Sequence, residues 1–361
     1  MVKKMNGLSL ELLSHPGETL MELISDRGMD QKELAIRTGF STKHISKVVS
    51  GEYDITNRFA YALENVFGIN AIFWINLQAK YDLEKMAIMS IDTVTNEERE
   101  IIPDLKEIID YLVEKKLMVQ TRDRTEKVLM LRDILGVHAL TAISALSVRS
   151  SFRISDRDTI NPFVLFSWVK ICEMNADSPI GIELSKEKLR ESLADIKKTM
   201  FVNNEYEIEA LLKVLLGKCG IQFRIVRHFK GAPVQGFIEK LQSNEVLLCL
   251  TPRYSYAGIF WFTLFHEIAH ILNDDIRERY IDFDGLDAEE ELLADEFAKK
   301  ELIDPNEWIF FANCNHFDLD SIKRFSKLVN VLPCIVIERL QKERLIPYRM
   351  YAREKIRYKW S

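Results

Sequence analysis

The chain has 361 residues, a length typical of two or three domains and too long for one small domain. Its composition, with 47% hydrophobic and 29% charged residues, 14 glycines and 9 prolines, is that of a globular protein and excludes collagen-like, low-complexity and disordered chains. The formal net charge of −6 argues against a protein that coats nucleic acid, so any DNA contact must be a local patch.

The cysteines and the first residues indicate the cellular compartment. The five cysteines are odd in number and form no C-x-x-C pair, so neither a disulfide framework nor a cysteine zinc ribbon is supported, and buried thiols are expected. Residues 1–16 lack the apolar core of a signal peptide. The longest apolar run, residues 256–272, contains two histidines and a glutamate, which are costly in lipid. We expect a cytoplasmic protein without a membrane partner.

Residues 1–90 predict a first domain of five short helices with a helix-turn-helix among them. Residues 31–38 are typical of a helix, Gly39 of its left-handed stop, and Ser41 or Thr42 of the cap of a second short helix. Apolar residues before and after this pair predict amphipathic helices that close a small core. The arrangement is that of an all-α DNA-binding module.

The second helix of this pair is the candidate DNA-reading element. In helix-turn-helix domains it enters the major groove, and a helix N-terminus can touch a phosphate. Because residues 1–90 contain ten Lys or Arg against eleven Asp or Glu, the contact has to be local. A dimer would read two half-sites about 34 Å apart or a multiple of that. The residues predicted to face operator DNA are Gln31, Thr42, Lys43, His44 and Lys47.

Two further regions follow. Residues 91–200 predict a helical connecting region without a chemistry-bearing motif, with candidate helices at 101–113, 124–135, 163–174 and 186–200. In residues 201–361, short β-branched runs occur among helices, which predicts an α+β domain with a small sheet. Its predicted strands are residues 221–226, 236–240 and 245–251, and its helices are residues 259–272, about 288–302 and two more toward the C-terminus, with an acidic loop before the second helix.

The predicted helix 259–272 contains an H-E-x-x-H pattern, His266-Glu267-Ile268-Ala269-His270. Side chains four residues apart lie on the same face of a helix, so both imidazoles can reach one ion while Glu267 lies beside it. Two neutral imidazoles and one carboxylate suit Zn2+ and leave its fourth position for water. The pattern predicts a zinc site with His266 and His270 as ligands.

The third ligand is expected among seven carboxylates in and just beyond the acidic stretch 282–291. Glu291 and Asp295 are four residues apart on a predicted helix, so Glu291 can bind the metal while Asp295 orients a histidine ligand. Glu290 has Ala294 at the same offset and remains the alternative. No metzincin continuation follows the motif, which leaves a zincin-like fold with a glutamate ligand. The full set is Asp282, Asp284, Asp287, Glu289, Glu290, Glu291 and Asp295.

This residue set predicts hydrolysis of a peptide bond. Zinc would polarise the scissile carbonyl and lower the pKa of its bound water toward 7, and Glu267 would pass the water proton to the leaving amine. The group that stabilises the oxyanion stays open. Its candidates are Tyr254, Tyr256, Tyr280, His228 and His316.

Four segments of the first domain carry a family resemblance: His15-Pro16-Gly17-Glu18, residues 29–35, residues 43–47 and Phe73-Trp74-Ile75-Asn76-Leu77-Gln78. They resemble the Xre-type helix-turn-helix of HigA-like antitoxins over about residues 8–90. The resemblance implies operator binding as a homodimer, and in free antitoxins a toxin partner. Those antitoxins are short, whereas this chain has about 270 further residues, which argues against a toxin partner here.

A second resemblance lies around the metal motif. Residues 261–270, followed by Glu291, Ala294, Asp295, Phe297 and Ala298, look like the ImmA/IrrE metallo-endopeptidase family. The match covers residues 205–310 and extends weakly into the middle region. It implies zinc bound by the two histidines and Glu291, Glu267 as general base, and a transcriptional repressor as the protein substrate.

Three functions are compatible with the sequence. The first is a DNA-binding regulator with an active peptidase that cuts an Xre-type repressor or its own chain. The second is a regulator whose zincin fold binds metal or a partner without hydrolysis, and the third is an antitoxin with a structural extension. Glu267 favours the first, because a purely structural zinc site needs no general base and more often closes its fourth position with protein.

Overall fold

The computed structural model describes residues 13–149, 160–176, 178–253, 255–273, 279–283 and 289–360. The chain divides into two compact units, Met1–Ile102 with Met118–Ile134, and Pro103–Leu117 with Leu135–Ser361. The predicted connecting region, residues 91–200, thus contributes to both units. Within the described ranges, no helix combines the length and the apolar character needed to cross a membrane.

The described N-terminal half of the chain is helical. Five helices form the predicted helix-turn-helix region, and four follow before residue 150. Their bounds are α1 Pro16–Asp26, α2 Gln31–Thr38, α3 Thr42–Val49, α4 Asn57–Phe67, α5 Ala71–Met89, α6 Asn96–Ile101, α7 Lys106–Glu114, α8 Arg124–Leu135 and α9 Ala142–Arg149.

The rest of the described chain combines helices with one sheet. The elements in chain order are α10 Pro162–Met174, α11 Lys186–Lys198, α12 Glu205–Gly217, β1 Ile221–Ile225, β2 Val234–Lys240, β3 Val246–Leu250, α13 Ala257–Asn273, β4 Arg279–Phe283, α14 Glu289–Leu302, α15 Pro305–Asn313, α16 Leu319–Leu328 and α17 Pro333–Lys342.

The boundaries of the helix-turn-helix follow from its capping residues. Asp30 and Ser41 accept hydrogen bonds from backbone N–H groups of the first turns of α2 and α3, at 2.7 and 3.1 Å. Gly39 ends α2 in the left-handed conformation, φ 72°, that glycine adopts without strain. The core beneath these helices is apolar and fully buried, as the five-helix prediction required; its central side chains are Leu20, Leu34, Ile45, Phe59, Leu63 and Trp74.

A buried ion pair joins α8 to α6 in the first unit. The Arg132 guanidinium donates to both carboxylate oxygens of Glu98, at 3.0 and 2.5 Å, and to the hydroxyl and carbonyl of Thr93. Glu98 has no exposed surface. Residues 118–134 are therefore tied to the N-terminal helices by charge-assisted hydrogen bonds as well as by packing.

The sheet of the second unit has the strand order β1-β3-β2-β4. β1 pairs parallel with β3, whereas β2 pairs antiparallel with both β3 and β4. β3 is buried along its whole length, and α13 packs on the sheet with nearly all of its residues buried. The sheet and α13 belong to one apolar core with α11, α12 and the C-terminal helices.

The small sheet and the mainly helical character were predicted, but several elements differ. The predicted helix 101–113 is two helices, because Pro103 cannot donate a hydrogen bond in a helix interior, and the chain turns before α7. β4 lies within the stretch predicted as an acidic loop. The prediction also omitted α9 and α12, gave two helices after α14 where there are three, and expected Cys314 to be buried, whereas it is exposed.

Candidate metal centre and nucleic-acid interface

The H-E-x-x-H motif lies in the C-terminal half of α13, a helix embedded in the core of the second unit. Trp261, Leu264 and Phe265 on this helix are fully buried, as expected of a helix that is apolar on most of its surface. His266 and His270 are buried as well, one helical turn apart on one face. Polar groups buried at this depth are tolerated only where they have partners.

The structure brings His266, His270 and Glu291 to one point. The two histidine Nε2 atoms are 3.1 Å apart, and the Glu291 carboxylate lies 3.1 Å from His266 Nε2 and 3.7 Å from His270 Nε2. All three ligand atoms fall within 4.8 Å of one another. Two atoms bound at about 2.0–2.1 Å to one tetrahedral zinc ion are about 3.3 Å apart, so this donor set has the chemistry and the spacing for zinc.

Glu291 reaches the histidines because α14 packs against α13 and begins at Glu289, two residues before Glu291. Burial opposes ionisation of this carboxyl, but its hydrogen bonds with His266 and His270 outweigh burial and lower its pKa to about 2. Glu291 is thus an anion at neutral pH. This is the protonation state that a carboxylate ligand needs.

Asp295 lies one turn further along α14 and holds the outer nitrogen of His266. Its carboxylate oxygen is 3.0 Å from His266 Nδ1. A carboxylate only accepts, so Nδ1 donates to Asp295, and this hydrogen bond orients the ring with Nε2 toward His270 and Glu291. Burial raises the pKa of the Asp295 carboxyl, but the hydrogen bond with His266 and the nearby Lys342 lower it more, so Asp295 stays charged.

Glu267 follows His266 on α13 and is fully buried. Its carboxylate lies against Gly236 of β2. The helix is also tied to the strand by Thr263, whose hydroxyl donates to the side-chain oxygen of Gln235 at 3.1 Å. Glu267 is therefore outside the converging set of candidate ligands, and its carboxylate is held beside β2.

A cleft of about 700 Å³ opens beside these residues between α13, α14 and α17. A cleft of this volume can hold a small molecule or a short peptide. Lysines, an arginine and apolar side chains line it together with His266, Glu291 and Asp295. The additional lining residues that bear on the chemistry are Phe262, Leu292, Lys299, Glu338, Arg339, Lys342 and Lys355.

The remaining sequence candidates lie elsewhere. Glu289 is exposed and Glu290 half-buried, and neither belongs to the converging set. Asp284 and Asp287 lie outside the described residues, as do Tyr254 and the side chains of Asp282 and Tyr280. Of the other oxyanion candidates, Tyr256 accepts from Arg357 and His316 is exposed beside Asp318; neither these nor His228 line the described cleft.

Sequence reasoning missed the cationic side of the cleft. Lys342 lies 3.8 Å from Asp295 and over the ring of Phe262, but it comes from α17, for which no local pattern indicated a role. Lys299 could have been found, because it continues the four-residue spacing of Glu291 and Asp295 along α14. Glu338 and Gly236 carried no signal, since their importance comes from contacts distant in sequence.

In the first unit, α3 presents the predicted DNA-facing residues unequally. Thr42 and Lys43 are exposed. Lys47 is half-buried, pairs with Glu52 at 3.1 Å and lies over the ring of Tyr53. Gln31, half-buried at the start of α2, and His44, whose ring stacks on Phe40 and meets Phe59 edge-on, are more enclosed than predicted.

The His15-Pro16-Gly17 segment fixes α1 against α3. His15 Nδ1 accepts the N–H of Gly17 at 3.0 Å, and Pro16 starts the helix. A Cβ on Gly17 would lie 2.0 Å from the carbonyl oxygen of Val48, so only glycine allows this approach. The segment thereby sets the position of α3 in the domain.

Comparison with known proteins covers this N-terminal region. The helix-turn-helix family model HTH_3 matches residues 20–74, which are an Xre-type helix-turn-helix domain. Two solved structures are similar: a candidate antidote protein of a plasmid maintenance system from Nostoc punctiforme (31% identity, 22% of this chain and 87% of that chain, TM-score 0.21) and a HigA-family addiction module antidote protein from Coxiella burnetii (26%, 27% and 92%, TM-score 0.19). No curated protein matches the chain.

Proposed function

We propose that the chain is a DNA-binding transcriptional regulator whose second unit is a zinc-dependent endopeptidase of the ImmA/IrrE type. The observation that carries the enzymatic part is the convergence of His266, His270 and Glu291 within 4.8 Å at the edge of a cleft. Glu267 directly follows His266 on α13 and is buried. The helix-turn-helix family of residues 20–74 supports the DNA-binding part.

The residues of the second unit divide the work of hydrolysis among them. A bound zinc ion supplies a Lewis acid for a carbonyl group and acidifies water. Asp295 holds the His266 ring in the orientation that directs Nε2 toward His270 and Glu291. Glu267, on the same helix, is outside the set of candidate ligands and can accept a proton from water and return it to the leaving amine. The cleft beside His266, Glu291 and Asp295 supplies the space for the peptide.

The metal assignment makes a direct prediction. Purified protein should contain about one zinc per chain, and His270→Ala or Glu291→Ala should lose it, because each removes one of three protein ligands. Glu290→Ala is the matched control, since Glu290 precedes the ligand on α14 and is half-buried but outside the set. Elemental analysis after removal of loosely bound metal gives the stoichiometry. Retention of zinc by Glu291→Ala together with its loss from Glu290→Ala would show that the neighbouring carboxylate is the ligand.

Hydrolysis is tested with Glu267→Gln, which should keep zinc and lower the cleavage rate by about 10²–10⁴-fold, the usual contribution of a general base. The protein is incubated with zinc and with an Xre-type repressor, and both chains are followed by mass spectrometry. Cleavage of either chain by the wild type alone supports the endopeptidase. Zinc binding without any Glu267-dependent cleavage would leave the non-hydrolytic regulator as the function.

DNA binding is predicted to depend on Lys43 and Lys47, the two lysines of α3. The double variant Lys43→Ala, Lys47→Ala should bind the upstream region of its own gene more weakly, and the slope of log K against log salt should fall by about 2 if both contact phosphates. Lys80→Ala, Lys85→Ala is the control, because both lysines are exposed on α5, away from α3 in sequence. Mobility shifts at several salt concentrations measure the slope. Equal affinities and slopes for wild type and the α3 variant would remove α3 from the interface.

A further inference from the structure

Gly236 of β2 lies directly against the carboxylate of Glu267. A Cβ at this position would be 1.8 Å from Glu267 Oε1, 2.2 Å from Cδ and 2.8 Å from Cγ. These distances are far inside van der Waals contact. Any side chain at residue 236 would therefore occupy the space that now holds the Glu267 carboxylate.

The backbone does not require glycine at this position. The φ angle of Gly236 lies outside the left-handed region, so an L-residue could adopt the same conformation. Glycine inside a strand costs stability, since it gains nothing from packing and loses more entropy on folding. Its presence in a buried strand thus marks a close approach of another group, and that group is Glu267.

Both β2 and α13 are held in place at this contact. Gly236 pairs with Leu250 of β3 and with Asp282 of β4, so β2 is held in the interior of the sheet. The pairing with β4 shifts register between Val234 and Gly236, a local irregularity at this strand position. On the helix, Thr263 lies one turn before Glu267 and donates to Gln235, which fixes the distance between α13 and β2.

We propose that Gly236 is the positioning residue of the general base: its missing side chain creates the seat that holds the Glu267 carboxylate. The catalytic part of this inference rests on the proposed function, whereas the seat itself is a steric property of the fold. A misplacement of about 1 Å in a reacting group can cost about 10²-fold in rate. Alanine at residue 236 should displace the carboxylate by at least that distance and should leave His266, His270 and Glu291 in place.

The seat is tested by thermal unfolding of the zinc-loaded full chain in a double-mutant cycle of Gly236→Ala and Glu267→Ala. Gly236→Ala should lower Tm by about 5 °C in the wild type and by no more than about 1 °C when Glu267→Ala has vacated the space. Gly217→Ala is the control, because a Cβ at the end of α12 meets nothing within 4 Å. If Gly236→Ala alone fails to fold, folding of the double variant supports the seat. Equal losses of Tm in both backgrounds would overturn it.

The positioning role is tested by zinc content and steady-state kinetics. Gly236→Ala should keep about one zinc per chain and an unchanged KM, lower kcat by about 10²-fold, and cause no further loss in a Glu267→Gln background. An unchanged kcat, or an equal loss in the Glu267→Gln background, would contradict positioning. The two tests can also give different answers. If the double-mutant cycle shows coupling between Gly236→Ala and Glu267→Ala but the wild type shows no Glu267-dependent cleavage, the seat is supported and the proposed peptidase is rejected.

Discussion

Replacing Arg132 with methionine is expected to lower the free energy of unfolding of the first unit by about 3–5 kcal/mol. The guanidinium is the counter-charge of Glu98, which has no exposed surface, and its nearest distance to that carboxylate is 2.5 Å. Loss of the guanidinium removes this ion pair and leaves the Glu98 carboxylate buried. This costs far more than the loss of an exposed pair such as Lys80 with Glu84, which contributes about 0–1 kcal/mol.

A second substitution separates the effect of charge from that of lost packing. Glu98 also closes a capping box with Thr95 at the start of α6, and glutamine can take the same capping role. Adding Glu98→Gln to Arg132→Met removes the buried negative charge and should restore most of the lost stability. Hydrogen exchange of the α6 and α8 amides in the full chain measures the opening free energy of this unit. Unchanged protection in Arg132→Met, or no recovery in the double variant, would contradict the electrostatic account.

The helix-turn-helix could be predicted from the sequence because its signals are local. Asp30, Ser41 and Gly39 lie within the turns that they define, and their capping roles depend on neighbours no more than four residues away. The same holds for His266 and His270, whose shared face follows from the helical repeat alone. The sequence also offered Glu291 and Asp295 as a pair, and the structure places both of them against His266.

Interactions between distant residues were not predictable in this way. Glu98 and Arg132 are 34 residues apart, and in sequence each is an ordinary charged residue in a helix. Gly236 precedes Glu267 by about thirty residues, and only the packing of α13 on β2 shows that its lack of a side chain matters. β4 was not predicted within the acidic stretch. Its five residues form a strand by pairing with β2, and a single short segment has little intrinsic preference for the β conformation.

His44 is a case in which the local pattern gave a prediction that packing changes. Its position on α3 predicts a DNA-facing side chain, since the helix repeat places it near Lys43 and Lys47. In the structure its ring packs against Phe40, Tyr53 and Phe59. Aromatic residues from the preceding turn and from α4 hold the His44 ring in these contacts. Fewer side chains of α3 are therefore available to contact DNA than the helical repeat alone predicts.

Glu338 on α17 is expected to make the second unit less stable as the pH rises. Burial raises the pKa of its carboxyl to about 7 from the ordinary 4.5, against the opposing effects of Lys355 and of the backbone N–H groups of Gly258 and Ile259. Because the folded state holds this proton more tightly than the unfolded chain, the stabilising effect is complete below pH 4.5 and is lost as the pH rises through about 7. The shift corresponds to about 3 kcal/mol.

Glu338→Gln removes this titration and keeps the shape of the side chain, so the variant should be more stable than the wild type at pH 8 by up to about 3 kcal/mol, with the difference disappearing near pH 4.5. Its amide oxygen can still accept from Gly258 and Ile259 at the start of α13, so the helix that carries the histidines keeps its contact with α17. Denaturant unfolding at several pH values, followed in the second unit by hydrogen exchange of the α13 amides, measures the difference. Glu191→Gln, at an exposed position of α11, controls for the loss of one carboxylate from the unit. A stability difference between Glu338→Gln and the wild type that is the same at pH 4.5 and pH 8 would show that this carboxyl titrates alike in the folded and unfolded chains.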